Sequence, residues 1–342
     1  SKNGMAGIVS SRGCYGVCSF CASNTYSRQF SGPKVRVRSP QSISREMEAL
    51  IRDHHIKSLV FFDDNFFLSY SKDKTRVEEL YRLLKEKNLH IRFQITARAN
   101  HIEANKELIL KLKEVGLEVI FIGVESFVQR QLDFYNKKVQ VEQNLRALEV
   151  LNEIDMPYSI GLMMLEPYAT IGEILTNVQA VKRIRYPRVR YVGNLPVSVI
   201  QPLQPIHGSP IFQTLAEKGL LTNNELGYKF VHPEVEILWE VVREWRKILF
   251  PIAKSYDLIY KAEFLDQKAV YEDLFQQKVA LMELDIDFLE GLCHQIQDYH
   301  MLSQDGPEWI RPWEEAVLTI RRKFEAAAQT LDTILNHPKT PI

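Results

Sequence analysis

The sequence predicts an α/β fold, a partial (β/α)6 TIM-like barrel with an α-helical C-terminal domain, and three observations carry that reading. Short apolar runs rich in Val, Ile, Phe and Tyr alternate with amphipathic stretches over residues 1–215, as in a parallel sheet wrapped by helices. A cysteine-rich loop follows the first apolar run, at the strand end where barrels gather their chemistry. After about Ser209 the alternation stops and apolar residues recur at helical spacing. A doubly wound nucleotide-binding sheet is the competing pattern. It lacks support, since no G-x-G-x-x-G follows the first strand and no G-x4-G-K-[ST] occurs.

The elements follow in order. The first strand is expected at residues 6–10, with so little chain ahead of it that either the barrel opens the protein or a further domain precedes it. A helix should start at Ser39-Pro40, because serine caps an N-terminus and proline fits the first helical position. Strand two is expected at 58–62, then a helix carrying Val77, Leu80, Leu83 and Leu84 at helical spacing. Strand three, at 92–96, leads to a helix with Leu108, Ile109, Leu112 and Val115 that Gly116 should stop. Strands four, five and six are expected at 118–123, 158–164 and 190–199, with helices at 145–154 and 171–184 between them. Trp239, Val242, Trp245 and Leu249, then Leu274, Val279, Leu281, Leu284, Phe288 and Leu292, mark the helices of the second domain. The expected domains are therefore a barrel over 1–215 and a helical domain over 216–342.

Composition excludes several classes. Lysine plus arginine, 43, equals aspartate plus glutamate, 43, so no basic field argues for nucleic acid as a partner. No apolar run reaches membrane-spanning length, and no segment has a signal peptide's layout. Four cysteines in 342 residues are too few for a disulfide framework, which points to a reducing cytoplasm.

Cys14, Cys18 and Cys21 stand in a C-x3-C-x2-C array. Three thiolates on one short loop do not by themselves complete a tetrahedral zinc site. They suffice for three irons of a [4Fe–4S] cubane, leaving the fourth iron open to a ligand. A zinc site completed by a distant residue, or incidental thiols, are the alternatives.

Ser10-Ser11-Arg12-Gly13-Cys14 followed by Cys18-Ser19-Phe20-Cys21 resembles the SRGC-x3-C-x-F-C signature of the radical S-adenosylmethionine (SAM) superfamily. The resemblance is closest to the branch that includes cobalamin-dependent members, and it covers residues 5–215. It implies that Cys14, Cys18 and Cys21 ligate the cluster, which binds SAM through its methionine amino and carboxylate groups. It also implies one-electron cleavage of SAM to a 5′-deoxyadenosyl radical that abstracts hydrogen from substrate. A flavodoxin or ferredoxin would supply the electron. Phe20 matches the aromatic residue that packs near the adenine.

Further candidates stand at strand ends. Asp63 and Asp64 close strand two, where the family carries a comparable segment; they would either bind a substrate group or cap the loop. Arg98, after strand three, either offers a bidentate fork for the SAM carboxylate or is a surface or helix-flanking arginine. Gly123-Val124-Glu125-Ser126 resembles the family's G-[VIL]-[EQ]-S segment, which implies Glu125 and Ser126 beside bound SAM. Gly161 would either let a ligand approach the backbone or serve as a packing glycine, and Gln201 lies in the strand-six segment expected at the cofactor. His207 reads as a turn histidine more than an acid–base group. Cys293 is the leftover thiol, either a buried apolar residue or a hydrogen-atom donor to a product radical.

The segments at 166–170 and 206–209 depart from the family's usual residues, and no D-x-H-x-x-G cobalamin loop occurs. The expectation is thus a radical SAM enzyme acting on a small-molecule substrate of natural-product biosynthesis, with cobalamin not favoured. The alternatives are a cobalamin-dependent methyltransferase whose corrinoid domain is absent here or supplied in trans, and a non-catalytic iron–sulfur or zinc module.

Overall fold

A computed structural model of the chain describes residues 4–27, 31–68, 72–89, 91–186, 198–253 and 267–298, with isolated helical positions between 315 and 333. It divides into two compact units, residues 1–162 with 203–228, and residues 163–202 with 229–342. The sequence-level boundary at 215 divides the chain by pattern, whereas these units divide it by contacts.

The first unit is built on strands β1 Met5–Ile8, β4 Ser58–Phe61, β5 Arg92–Arg98, β6 Leu117–Glu125 and β7 Tyr158–Leu162. They pair in parallel in the order β1-β4-β5-β6-β7. A small antiparallel ribbon, β2 Ser11–Arg12 with β3 Arg36–Val37, pairs Ser11 with Val37. The crossovers are helical: α2 Pro40–His54, α3 Lys72–Glu86, α4 Lys106–Glu114 and α6 Val141–Glu153. Two short helices, α1 Ala22–Ser27 and α5 Gln129–Phe134, belong to the strand-end loops. This is the α/β sheet-and-helix order of the partial TIM-like barrel. Five of the expected strands are present within a few residues of their expected bounds. The sixth falls mostly on residues 190–197, outside the described residues.

Local sequence explains the boundaries. Ser39 takes an extended conformation and its Oγ accepts the Ser42 N–H at 3.2 Å, with Pro40 opening α2. Gly116 follows α4 at φ +112°, and a Cβ there would stand 2.0 Å from the Ile91 carbonyl oxygen. On β5, Phe93, Ile95 and Ala97 are buried while Arg92, Gln94, Thr96 and Arg98 alternate with them on the less buried face. Register sets Arg98, Gly123 and Gly161 side by side at the C-terminal ends of three adjacent strands.

In the second unit, α7 Ile171–Arg183, α9 Pro233–Ala253 and α10 Lys268–Gln297 bury the residues that the helical spacing singled out; α8 Pro210–Glu217 belongs to the first unit. Trp245 stacks on Phe288 at 4.1 Å and donates from Nε1 to Asp285 at 2.9 Å. Asp285 also accepts from Ser198 Oγ and the Val199 N–H. Leu284 alone among the marked residues of α10 is half-buried. Among the described residues no helix is long and apolar enough to cross a membrane.

Candidate active site

The cysteine loop leaves β1 and returns through α1. Gly13 enters it at φ +89°, where a Cβ would stand 2.1 Å from the Lys34 carbonyl oxygen, so only glycine fits. Cys18 is buried, and Cys14 and Cys21 are half-buried. Two adjacent carboxylates grip both ends of this loop. Asp63, buried, accepts the Ser10 N–H at 2.7 Å and the hydroxyls of Ser10 and Ser11. Asp64, exposed, accepts the Gly13 N–H at 2.9 Å and the Ser23 hydroxyl. The centre of the loop is held from the turn that follows α5: the Ser19 N–H donates to the Tyr135 carbonyl at 2.9 Å, and Asn136 Nδ2 to the Val17 carbonyl at 2.9 Å. Ile211, in α8, donates its N–H to the Ser19 carbonyl at 3.1 Å. Phe20 meets Tyr135 edge to face at 5.6 Å.

Two donors address the sulfurs. The Gly16 N–H reaches Cys14 Sγ at 3.3 Å, and Arg98 Nη1 reaches Cys18 Sγ at 3.2 Å. Burial pushes the Cys14 thiol pKa up, against the Gly16 N–H and the Arg98 charge, which pull it down. The donor set fits an iron–sulfur cubane: three thiols on one braced loop, with N–H groups already turned toward two of them. Among the described residues no three His, Cys, Asp or Glu side chains converge on one point, as a single ion would require. A cubane spreads its thiolates over separate irons and does not ask for that convergence.

Above the strand ends lies a buried ion pair. Glu125 closes β6 at φ +65°, beside a register shift against β7, and accepts from Lys137 Nζ at 2.6 Å. Gly123 and Gly161 make room for it. A Cβ on Gly123 would stand 2.6 Å from the Glu125 carboxylate and 2.8 Å from Lys137 Nζ. A Cβ on Gly161 would meet the Phe121 ring at 2.9 Å and the Glu125 carboxylate at 3.5 Å. The space expected over Gly161 for a ligand is thus taken by those two side chains.

The remaining expected site residues have the following partners, and His207 and Cys293 take the turn and buried places that the sequence reading also offered. Ser126 is buried, donates to Gln131 Oε1 at 2.6 Å and accepts the Val128 N–H at 2.9 Å, so its hydroxyl fastens the turn into α5. The Arg98 fork is engaged by Cys18 and by the Lys137 carbonyl. Gln201 belongs to the second unit and donates to the Ser198 carbonyl at 2.6 Å. His207 is exposed and packs on Phe212 at 4.8 Å, a turn residue before α8. Cys293 also lies in the second unit, fully buried on α10, its thiol pushed up to about 12 by burial and then by Glu290. Sequence reasoning missed Lys137 and Asn136. Nothing in residue type marks them out, and their roles exist only once the turn after α5 is placed beside Glu125 and the cysteine loop.

The uncharacterized methyltransferase PH0819 of Pyrococcus horikoshii is 24% identical over 271 residues, spanning 79% of this chain and 53% of that protein. The anaerobic magnesium-protoporphyrin IX monomethyl ester cyclase of Cereibacter sphaeroides is 30% identical over 146 residues, 42% of this chain and 22% of that protein. This chain thus spans about half the length of PH0819 and less of the cyclase. Among solved structures, the cobalamin-dependent S-adenosylmethionine radical enzyme OxsB, with aqua-cobalamin and S-adenosylmethionine bound, superposes with a TM-score of 0.66 at 16% identity. That match covers 98% of this chain and 55% of OxsB, and shows a shared fold. The family model described as the Radical SAM superfamily matches residues 8–180, half of the chain and the stretch that holds the cysteine loop and all strand ends described above. The chain belongs to the radical SAM superfamily.

Proposed function

We propose that this chain is the catalytic core of a radical SAM enzyme acting on a small-molecule substrate. The observation that carries the reading is the three-cysteine loop, braced by Asp63, Asp64 and the turn after α5 at the C-terminal ends of a parallel sheet. Cys14, Cys18 and Cys21 are the cluster ligands. When bound, a [4Fe–4S] cluster with SAM supplies one-electron cleavage to a 5′-deoxyadenosyl radical that removes hydrogen from substrate. The residues present have distinct parts in this reading. Glu125 and Lys137, one of each charge, face the methionine ammonium and carboxylate of SAM, and Phe20 contacts its adenine. Asp63 and Asp64 act as positioning residues of the cysteine loop, not as substrate ligands, because their oxygens are already engaged there. The catalytic domain is assigned to 1–215 and a helical domain to 216–342. A flavodoxin or ferredoxin is the proposed electron donor, and the cytoplasm the proposed compartment.

The reaction on substrate is a second question. Methyl transfer is the reading favoured by the name of PH0819, a methyltransferase, whereas the cyclase relative supports a different outcome. The test is incubation of the anaerobically reconstituted protein with SAM. Broadening or a shift of the reduced-cluster EPR signal on adding SAM supports the proposal. A cluster that SAM leaves unaltered contradicts it and favours the non-catalytic module. Tight uptake of hydroxocobalamin by the same protein would move methyl transfer ahead of hydrogen-abstraction chemistry without a corrinoid.

A further inference from the structure

We infer that Arg98 sets the reduction potential of the cluster by holding a fixed hydrogen bond to the Cys18 sulfur. The inference rests on the cluster proposed above. Arg98 ends β5, and its own N–H is anchored on Asn65 Oδ1 at 3.0 Å. Its Nη1 stands 3.2 Å from Cys18 Sγ while Nη2 donates to the Lys137 carbonyl. The two ends of the guanidinium fork are therefore divided between a sulfur and a backbone oxygen, which fixes the plane of the group. Lysine, with a single nitrogen, cannot bridge both.

A second observation is independent of that hydrogen bond. A Cβ on Gly16 would stand 2.7 Å from the same Nη1 and 3.3 Å from Cys14 Sγ. The guanidinium thus occupies room that only glycine leaves inside the cysteine loop. One cation thus lies at the Cys18 sulfur and against the Gly16 turn, on which Cys14 Sγ also closes.

The consequence follows from charge. Reduction adds one electron to the cluster, and hydrogen bonds and positive charge at the ligand sulfurs favour that form. With Arg98 in place, a weak cellular donor has a smaller gap to cross. Arg98 is then a tuning residue that acts through the Cys18 sulfur, and the SAM carboxylate falls to other groups.

The test is a dye-mediated redox titration followed by EPR on the reconstituted full chain, with iron and sulfide measured in every sample. R98M should retain the cluster and titrate at a more negative potential than wild type, with R98K between the two. G16A keeps the arginine but crowds Nη1 away from Cys18, and should shift the potential in the same direction. R98M and G16A titrating with wild type at full iron loading would overturn the inference while leaving the proposed enzyme intact. If R98M does not hold its cluster, R98K and G16A decide, and unchanged potentials in both overturn it. A wild-type chain that takes up no iron and sulfide overturns the proposed function itself, and this inference with it.

Discussion

Glu125 stands in a left-handed backbone conformation, φ +65°, that a residue with a Cβ adopts only at a cost of about 1–3 kcal/mol. Its carboxylate is buried against Lys137 at 2.6 Å, and Gly123 leaves the space for both. Strain, burial and a single opposite charge hold this carboxylate in place at the end of one strand, in keeping with the contact to SAM proposed above. Glu125→Ala should leave the cluster in place and weaken SAM binding about ten- to hundred-fold, the loss of a charge-assisted contact of about 1.5–3 kcal/mol. A SAM titration of reconstituted protein checks this, and unchanged affinity would place SAM elsewhere. Lys137→Met should instead cost about 3–5 kcal/mol of stability in urea unfolding, because it strands a buried carboxylate. Glu125 was legible in the sequence, since an acidic residue after a fully apolar strand needs a partner. Its partner was not, because Lys137 comes from a different element. The bonds of Ser126 were not legible either: its hydroxyl is satisfied by Gln131 and Val128, a turn contact invisible to spacing.

At the scale of elements, the end of β4 and the start of the cysteine loop form one assembly. Asp63 fastens Ser10 and Ser11 ahead of the cysteines, and Asp64 ties Gly13 ahead of them to Ser23 behind them. These bonds hold the loop on both sides of the cysteines, and a loop so held loses less entropy on ligation. Asp64→Ala should leave the chain folded, since the residue is exposed, yet make the cluster more labile. Iron release to a chelator should run several-fold faster than in wild type, and an unchanged rate would remove Asp64 from this assembly. Most elements were readable in the sequence, because caps and stops are local. Ser39-Pro40 starts α2 and Gly116 follows α4 as their chemistry requires. The use of the Asp63-Asp64 pair was open, because two carboxylates at a strand end serve a ligand or a loop equally well until the loop is in place.

At the scale of the whole molecule, the second unit carries ionisable groups in its core, Lys278 and Asp285 among them. Burial lowers the pKa of Lys278 to about 7, and raises that of Asp285 to about 6 against three hydrogen bonds that favour its charged form. The signs differ. Between about pH 7 and the ordinary lysine value, the unfolded chain binds more protons at Lys278 than the folded chain, so stability should rise with pH across that window. Between the ordinary aspartate value and about pH 6, the folded chain binds more protons at Asp285, so stability should fall as pH rises there. Lys278→Met should flatten the first slope and stabilise the protein most below pH 7, as urea unfolding at pH 6 and pH 9 will report. An equal change at both pH values would mean that the lysine is not titrating in the core. The helical spacing announced α9 and α10, but a lysine buried on the long helix contradicts its residue type, and only packing reveals it.

The central claim is that the cysteine loop holds a cluster at which SAM is cleaved. The most direct measurement is 5′-deoxyadenosine formation by the anaerobically reconstituted chain with SAM and dithionite, beside chains in which Cys14, Cys18 or Cys21 is replaced by alanine. The account predicts close to four iron and four sulfide per wild-type chain, the number a cubane requires, and product that is lost with each cysteine. Stoichiometric zinc with no iron, or a full cluster that never consumes SAM, would contradict it.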